Sequence, residues 1–514
     1  MYANVACNSI VKFQNVLSLG SLTPNHDEMK KNVSMIALLI VALLATAYFI
    51  VSKSETSIQS EYVKNFDWMV QTFEQNDAGF PYYLEEKGAD DYARHIASYR
   101  KRIRKAKSEQ EYLFLMNDWL HYFRKNHIGV LPQYGSKLSE KEEKDFIDFD
   151  ESAFKLYLQQ NRTHPIEGIW KGTRNNLFGI VRSKNDTAQF DIFMLRCGHT
   201  RRAPKQLIAE ITESGGDTIN GTFHGVDGSK KKATGQWIGK SHSIISLSGL
   251  VWAKIYPETN HSEQENFFIE SMCTDKPLIR QLNSNTIYLR IPSFDITYRE
   301  TIHKLLSEND NIIKSARNLI IDIRNGTGGS DYCHYDLIPY YYTQPIRVSQ
   351  LKYRATELNA QAYDRFAKIH KDSSSIRRAQ QRAHDLREHP NEYLDYGALT
   401  SIISGYESLE RPARVAIICN QNNASADEGF LYLARQSYKV KIFGKPTKGA
   451  FNCSNMNTID FPNGKYILFL AITVNKIYPE YRIDDIGIQP DYYIDDDIRP
   501  DEWVAHVQNV IETG

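Results

Sequence analysis

The sequence contains few cysteines, no excess of either charge and a single long apolar run. Its six cysteines are spread over 514 residues without paired short spacing, which argues against a zinc cluster and a disulfide-framed small fold. One isolated bridge, for example Cys197 to Cys273, stays open. Lys+Arg 62 balance Asp+Glu 62, so the chain lacks the basic field that nucleic-acid binding requires. We therefore expect no nucleic-acid partner, and no metal or organic cofactor is implied.

The apolar run extends from Met35 to Val51 and follows Lys30 and Lys31. Its length is at the short limit for a membrane-spanning helix, which needs roughly 17–25 residues. If the chain starts at Met29, the same stretch has the charged and apolar regions of a signal peptide. We favour an uncleaved anchor over a cleaved signal. Both predict a protein outside the cytoplasm, periplasmic or at the cell surface, that is membrane-anchored or secreted.

A chain of this length is expected to form several domains. Residues 1–55 would be a tail with the signal or anchor, and 56–150 a helical domain. Residues 151–275 alternate like short antiparallel strands separated by turn residues, which predicts a small β-barrel or sandwich with Trp170 and Trp237 in its core. This domain is expected to bind a ligand in its mouth or, as we favour, to shape access to a site elsewhere. Residues 276–514 show an α/β pattern.

Within the α/β region, a strand-to-helix turn contains a serine. The apolar strand Val415 to Cys419 is followed by a polar run and then by Ser425, directly before a helical pattern. Such a turn holds a hydroxyl in place, and the first helical amides face whatever approaches it. On this stretch alone a plain helix cap is the better interpretation, because serine is among the best caps.

Two further segments accompany this turn. The apolar strand Asn318 to Ile323 runs into the glycine-rich segment 324–330, whose amides can approach a ligand closely. The segment has no Walker lysine, so phosphate binding is disfavoured. Residues Glu357 to Asp395 are charged and helical with a break at 373–375, which predicts an inserted cap or lid or a solvated surface hairpin.

Five motifs occur in a fixed order, namely DIRNGTGG, NNASADEG, FGKPTKG, FPNGK and IDDIGIQPD. Together they resemble the S41 serine peptidases, the family of C-terminal-processing, tail-specific and tricorn-core proteases. The resemblance covers about residues 276–498 and extends loosely to NHIGV in the helical region. It implies a multidomain α/β protein whose C-terminal core is of the ClpP/crotonase type. No PDZ pattern is present, and the barrel-like region occupies that place.

The resemblance also implies how the serine is activated. Processing proteases of the family use a lysine, but Ala450 stands at the corresponding position, with Lys445 and Lys448 out of register. The tricorn-like branch uses a histidine and an acid, positions that His127 and Asp484 fill. The implied triad is Ser425 as nucleophile, His127 as base and Asp484 as orienting acid. The family usually has Glu in place of Asp484, and Asp485 is the fallback.

The implied oxyanion hole consists of the amide of Ala426 and a second amide from Gly328 or Gly329. The expected function is a serine endopeptidase that hydrolyses peptides or the C-terminal regions of unfolded proteins outside the cytoplasm. A catalytically silent peptide-binding protein of the same fold is the alternative. A ligand carrier centred on the barrel ranks third, because no sequence feature identifies a ligand.

Overall fold

The computed structural model describes residues 58–513 except 134–146, 148, 162–163, 174–175, 185, 198–203, 227 and 370–371. The run Met35 to Val51, with its predicted anchor or signal, lies outside these residues. Among the helices that are described, none is long and apolar enough to cross a membrane. The chain divides into two compact units between Tyr62 and Val63, and the elements from Val63 onward belong to the second.

The front of the described chain is helical and packs through aromatic side chains. Phe73 packs edge-on against Trp119 with ring centroids 5.7 Å apart, and the Ser108 hydroxyl caps the fourth helix by accepting from the Glu111 amide. A four-residue strand follows, which is too short to show a periodicity in the sequence. The elements are α1 (residues 58–76), α2 (Phe80–Lys87), α3 (Ala89–Ile103), α4 (Glu109–Leu120) and β1 (Gly129–Pro132).

The next region is a closed antiparallel barrel of eight strands in sequential order. Trp170 and Trp237 are buried in its interior with ring centroids 6.0 Å apart, as predicted. Its elements are α5 (Glu151–Gln160), β2 (Gly168–Lys171), β3 (Leu177–Arg182), β4 (Gln189–Arg196), β5 (Leu207–Glu213), β6 (Thr218–His224), β7 (Lys230–Ile238), β8 (Ile244–Leu247) and β9 (Leu250–Tyr256). Cys197 and Cys273 are free thiols, so the bridge left open by the sequence is not formed.

The remaining chain forms the α/β core. Its elements are α6 (Glu263–Met272), β10 (Leu278–Gln281), β11 (Thr286–Arg290), α7 (Arg299–Ser315), β12 (Asn318–Asp322), α8 (Ile338–Tyr341), β13 (Ile346–Ser349), β14 (Leu351–Arg354), α9 (Glu357–Ile369), α10 (Ser373–Glu388), β15 (Tyr393–Asp395), β16 (Thr400–Ile403), β17 (Arg414–Cys419), α11 (Ala426–Ala434), β18 (Val440–Gly444), β19 (Cys453–Asp460), β20 (Tyr466–Asn475), β21 (Tyr492–Tyr493) and α12 (Trp503–Thr513).

Six strands form the main sheet in the order β10-β11-β12-β17-β18-β21, parallel from β11 onward. Apolar residues of α7 and α11 cover one face, and those of α12 cover the other. Because both faces are buried, β12 and β17 are almost wholly apolar runs, as expected of parallel strands between helical layers. The carboxyl ends of β12 and β17 lead directly into the glycine segment and the serine turn.

A second sheet joins the front half of the chain to the rear half. Its order is β1-β20-β14-β15, with β19 also paired to β20, so β1 extends a sheet of the core. The predicted helical insertion is α9 and α10. They are separated near Asp372, whose carboxylate caps α10 by accepting from the Ser375 amide at 2.7 Å. Arg365 of α9 donates to Asn457 of β19 at 2.6 Å. The predicted helical region, barrel and α/β core with a helical insertion are confirmed.

The barrel contacts the helical front region and the α/β core through turns at one end. The turn between β6 and β7 packs on α4, since a methyl group built on Gly228 would lie 2.7 Å from the carbonyl oxygen of Gln110. The turn between β8 and β9 lies on the loop that leads to the serine, where the Asn422 side chain donates to the Ser248 carbonyl at 3.2 Å. The barrel therefore borders the segment that carries the predicted nucleophile.

Candidate active site

Ser425 occupies a strained turn between β17 and α11. Its backbone angles are φ 58° and ψ −119°, a conformation that costs a non-glycine residue about 1–3 kcal/mol and persists only where the surroundings enforce it. Asn423 holds the turn in this conformation, because its side-chain amide donates to the Ile323 carbonyl at 2.6 Å and to the Asp427 carboxylate at 2.8 Å. A strained serine on a strand-to-helix turn has the geometry of a nucleophile elbow.

The buried Glu428 carboxylate connects this turn to the segment 447–450. It accepts from the amide of Ser425 at 3.1 Å, the hydroxyl of Thr447 at 2.5 Å and the amides of Gly449 and Ala450 at 2.7 Å each. Burial raises the pKa of Glu428, and these donors oppose the rise. The sequence analysis missed this role, although a serine followed three residues later by a glutamate is the spacing of a capping box.

The glycine segment lies directly against the serine turn. A methyl group built on Gly328 would lie 2.6 Å from the Ser425 Cβ and 2.9 Å from the Ala426 nitrogen. One built on Gly329 would lie 2.1 Å from the Phe294 carbonyl oxygen. Both glycines also have positive φ angles, 83° and 140°, so only glycine fits. The glycine backbone and the first amide of α11 therefore line the same space.

The Gly328 amide already has an acceptor. The Gly328 amide interacts with the carboxylate of Asp427, a buried residue below the turn. Burial raises the pKa of Asp427 to about 7, while the side chain of Asn423 and the amides of Gly328 and Ala424 oppose the rise. Of the two predicted second donors of the oxyanion hole, Gly328 thus faces the interior. Gly329 is the better candidate.

His127 lies on the loop between α4 and β1, with a positive φ of 54°. Its Nδ1 lies 2.6 Å from the Cys453 carbonyl oxygen. Because a carbonyl only accepts, Nδ1 carries the proton, and Nε2 is left as the basic nitrogen of the neutral ring. Burial lowers the pKa of His127, with the Cys453 carbonyl and Asp484 opposing it and Arg124 and Lys448 adding to it.

Asp484 is buried behind this arrangement and does not bind the imidazole. Its carboxylate accepts from the amides of Phe451 at 2.7 Å, Asn452 at 2.6 Å and Cys453 at 3.0 Å. The sequence analysis predicted Asp484 as the orienting acid and, because it is one methylene shorter than the family's glutamate, expected the backbone or a water to make up the reach. Here the aspartate binds the backbone whose Cys453 carbonyl contacts the ring. The fallback, Asp485, accepts from the Lys125 amide at 2.9 Å.

A buried ion pair holds the histidine loop, and sequence reasoning missed it. The Arg124 guanidinium binds both carboxylate oxygens of Asp77, at 2.8 and 2.6 Å. It also donates to the carbonyls of Asn126 at 3.1 Å and His127 at 2.9 Å. The two residues are 47 positions apart, and no local pattern links them. The pair fixes the backbone on both sides of the predicted base.

The segment 447–453 brings the histidine loop and the serine turn into one neighbourhood. Asn126 donates to the carbonyls of Lys448 and Gly449, each at 3.1 Å, while Glu428 accepts from amides of the same segment. Among the described residues, no hydrogen bond joins the His127 ring to the Ser425 hydroxyl. Hydrogen bonds of this kind are often long before substrate binds. Of the two lysines near the empty lysine position, Lys445 pairs with Asp496 at 2.7 Å. Burial lowers the pKa of Lys448, and the Lys448 charge in turn lowers the pKa of His127.

The sequence model of Peptidase family S41 matches residues 285–494. No curated protein matches significantly. The chain is similar to the structure of mature CPAF complexed with lactacystin, with 12% identity, TM-score 0.46, and coverage of 88% of this chain and 98% of that one. It is also similar to the photosystem II D1 C-terminal processing protease, with 12% identity, TM-score 0.36, and coverage of 86% and 95%. The tricorn protease is similar over 89% of this chain and 36% of its own, with 11% identity and TM-score 0.38.

Proposed function

Because the chain belongs to peptidase family S41 and is a serine peptidase, we propose that it is an endopeptidase whose nucleophile is Ser425 and whose base is His127. The observation that carries this proposal is the strained backbone of Ser425 on a strand-to-helix turn, with Gly328 pressed against it. Neither feature serves an ordinary helix cap, which needs no positive φ and no glycine beside it. Both features serve an exposed nucleophile beside backbone donors.

In this proposal the reaction has two halves. His127 Nε2 takes the proton of the Ser425 hydroxyl while the oxygen attacks the peptide carbonyl, and then returns it to the leaving amine. Water, activated by the same nitrogen, hydrolyses the acyl-enzyme. The amides of Ala426 and Gly329 receive the negative charge of each tetrahedral intermediate, and one such donor is typically worth about 10²–10³ in turnover.

The imidazolium that forms in each half needs stabilisation. The Cys453 carbonyl accepts from its Nδ1–H, and the Asp484 carboxylate, which opposes the lowering of the His127 pKa by burial, supplies negative charge through space. Asp484 therefore acts as the acid of the triad through the 451–453 backbone rather than by contact. This arrangement keeps the ring in the tautomer that leaves Nε2 free to accept.

We further propose that the substrates are peptides or the C-terminal regions of unfolded proteins outside the cytoplasm. The uncharged run Met35 to Val51 after two lysines supports export, with the run as an anchor or a signal. An extended substrate is supported by the glycine backbone beside Ser425, because main-chain hydrogen bonding to a strand needs an approach free of side chains.

The test compares three variants of the full chain. Ser425→Ala is expected to abolish hydrolysis of unfolded casein and labelling by a fluorophosphonate, and His127→Ala to lower both by several orders of magnitude. Lys448→Ala is the matched control in the same neighbourhood and is expected to keep turnover. Full activity of the His127 variant would eliminate the proposed base. Wild-type protein that binds peptides without cleaving them would instead support the catalytically silent alternative.

A further inference from the structure

The chain after the glycine segment runs along α11, away from Ser425. Gly328 lies against Ser425, and three residues later the Asp331 carboxylate lies 3.4 Å from the position of a methyl group built on Gly429. Gly429 is one helical turn beyond Ser425, and its amide donates to the Ser425 carbonyl at 2.9 Å. One turn of helix corresponds to about 5.4 Å. The Asp331 carboxylate is therefore located one turn from the predicted nucleophile.

The Asp331 carboxylate is accessible to solvent and is positioned by His334. The Asp331 side chain is 61% exposed, whereas the His334 ring beside it is 1% exposed. The His334 Nε2 lies 3.4 Å from the Asp331 carboxylate, and because a carboxylate accepts, Nε2 is the donor. The other ring nitrogen of His334 is buried and has no hydrogen-bond partner among the residues that the structure describes. The histidine therefore anchors one oxygen of Asp331 and leaves the rest of the carboxylate facing the open side.

The surroundings of Asp331 favour a cation. The pKa of the Cys333 thiol is raised to about 12 by burial and by the carboxylates of Asp295, Asp331 and Asp336, while Arg299 opposes the rise. The three carboxylates therefore surround Cys333 with negative charge. Two of these carboxylates already have partners. Asp295 accepts from the amide and hydroxyl of Thr297, and Asp336 lies 3.0 Å from His303. Asp331, whose carboxylate has the long 3.4 Å contact to His334 Nε2, is the acid of the three that can take a further partner.

Aromatic rings line the same side. The rings of Tyr332 and Tyr335 have centroids 6.0 Å apart, and the Tyr332 ring already carries the Arg299 guanidinium at 5.6 Å. Aromatic faces attract cations, and their flat apolar surface also suits the methylene stem of a long basic side chain. A carboxylate next to tyrosine rings is thus suited to lysine or arginine more than to an apolar or acidic side chain.

We propose that Asp331 determines specificity by binding a lysine or arginine side chain of the substrate next to the scissile bond. This inference rests on the proposed function, because it takes Ser425 as the point of attack. An extended basic side chain that leaves the substrate backbone at Ser425 travels one helical turn along α11 to reach the Asp331 carboxylate. Since that carboxylate is largely exposed, the preference is moderate, about tenfold, as for one hydrogen bond to a charged group.

The experiment measures kcat/KM for three fluorogenic peptides that differ only in the residue before the scissile bond, which is lysine, leucine or glutamate. Wild-type protein is expected to prefer lysine over glutamate by about tenfold or more. In Asp331→Asn the lysine-to-glutamate ratio is expected to fall towards unity, and in Asp331→Lys it is expected to invert. Asp336→Asn is the matched control. It removes a carboxylate that lies five residues later in the same segment and that pairs with His303. Its lysine-to-glutamate ratio is expected to equal that of wild type.

The outcomes separate this inference from the proposed function. Wild-type protein that is labelled at Ser425 and cleaves the leucine peptide, but shows no preference for lysine, overturns the role of Asp331 alone. A preference for lysine that persists in Asp331→Asn does the same. Wild-type protein that neither reacts with a fluorophosphonate nor cleaves any of the peptides overturns the proposed function and this inference together.

Discussion

Replacing Arg124 by methionine tests whether the buried ion pair positions the base. Arg124 and Asp77 are 1% and 0% exposed, and the variant leaves the Asp77 carboxylate with only the amides of Gly79 at 2.9 Å and Ala471 at 3.1 Å. Breaking a buried pair on one side costs about 3–5 kcal/mol. Since domains are typically stable by about 5–15 kcal/mol, we expect a folded but clearly destabilised protein.

The double variant Asp77→Asn/Arg124→Met separates stability from positioning. It removes the unpaired charge, so its free energy of unfolding is expected to recover most of the loss, as measured by urea denaturation followed through tryptophan fluorescence. Its activity is not expected to recover, because the carbonyls of Asn126 and His127 still lack their donor. A displacement of a reacting group by about 1 Å can cost on the order of 10²-fold, and we expect a loss of kcat of that order.

The pH profile adds a measurement that a purely structural role would not change. The Arg124 charge lowers the pKa of His127, so its removal is expected to move the acid limb of kcat/KM to higher pH. Recovery of wild-type kcat and an unshifted limb in the stable double variant would refute the reasoning. Arg124 would then serve folding alone.

Two further predictions concern charge. The Lys448 ammonium lowers the pKa of His127, so Lys448→Ala is expected to keep turnover but shift the acid limb of kcat/KM to higher pH, whereas an unshifted limb would speak against His127 as the titrating base. Asp427 has its pKa raised by burial to about 7, against about 3.9 in an unfolded chain. Below the pKa of the unfolded chain, Asp427 is protonated in both the folded and the unfolded state, and the free energy of unfolding does not depend on its ionisation. Between the two values only the unfolded state ionises, so stability falls as pH rises, by on the order of 4 kcal/mol in all. Urea denaturation from pH 4 to 8 should show a flatter decline for Asp427→Asn than for wild type, and equal slopes would contradict the assignment.

The sequence predicted the parts of the site that depend on local order along the chain. The apolar runs that become β12 and β17 end in the glycine segment and the serine turn, and parallel strands bring their carboxyl ends to one edge. The motif order was sufficient to predict the family whose model matches residues 285–494. Whether the three predicted triad residues act together is still a prediction.

The contacts between distant segments could not be read from the sequence. Asp484 lies 31 to 33 positions from the amides of Phe451 and Cys453 that it binds, and Arg124 lies 47 positions from Asp77, so no local pattern links the partners. The Ser425–Glu428 spacing is different, since it follows helical geometry and was visible in the sequence.

The closure of the barrel has an evolutionary and practical consequence. Because β2 pairs with β9, with Ile169 opposite Tyr256, the chain enters and leaves the barrel at neighbouring points, about 5 Å apart for paired strands. The barrel can therefore be inserted, deleted or replaced as a unit, while the chain on either side keeps its path. A short linker could bridge the gap after excision, and the asparagines now beneath the Ser248 turn would be left facing water.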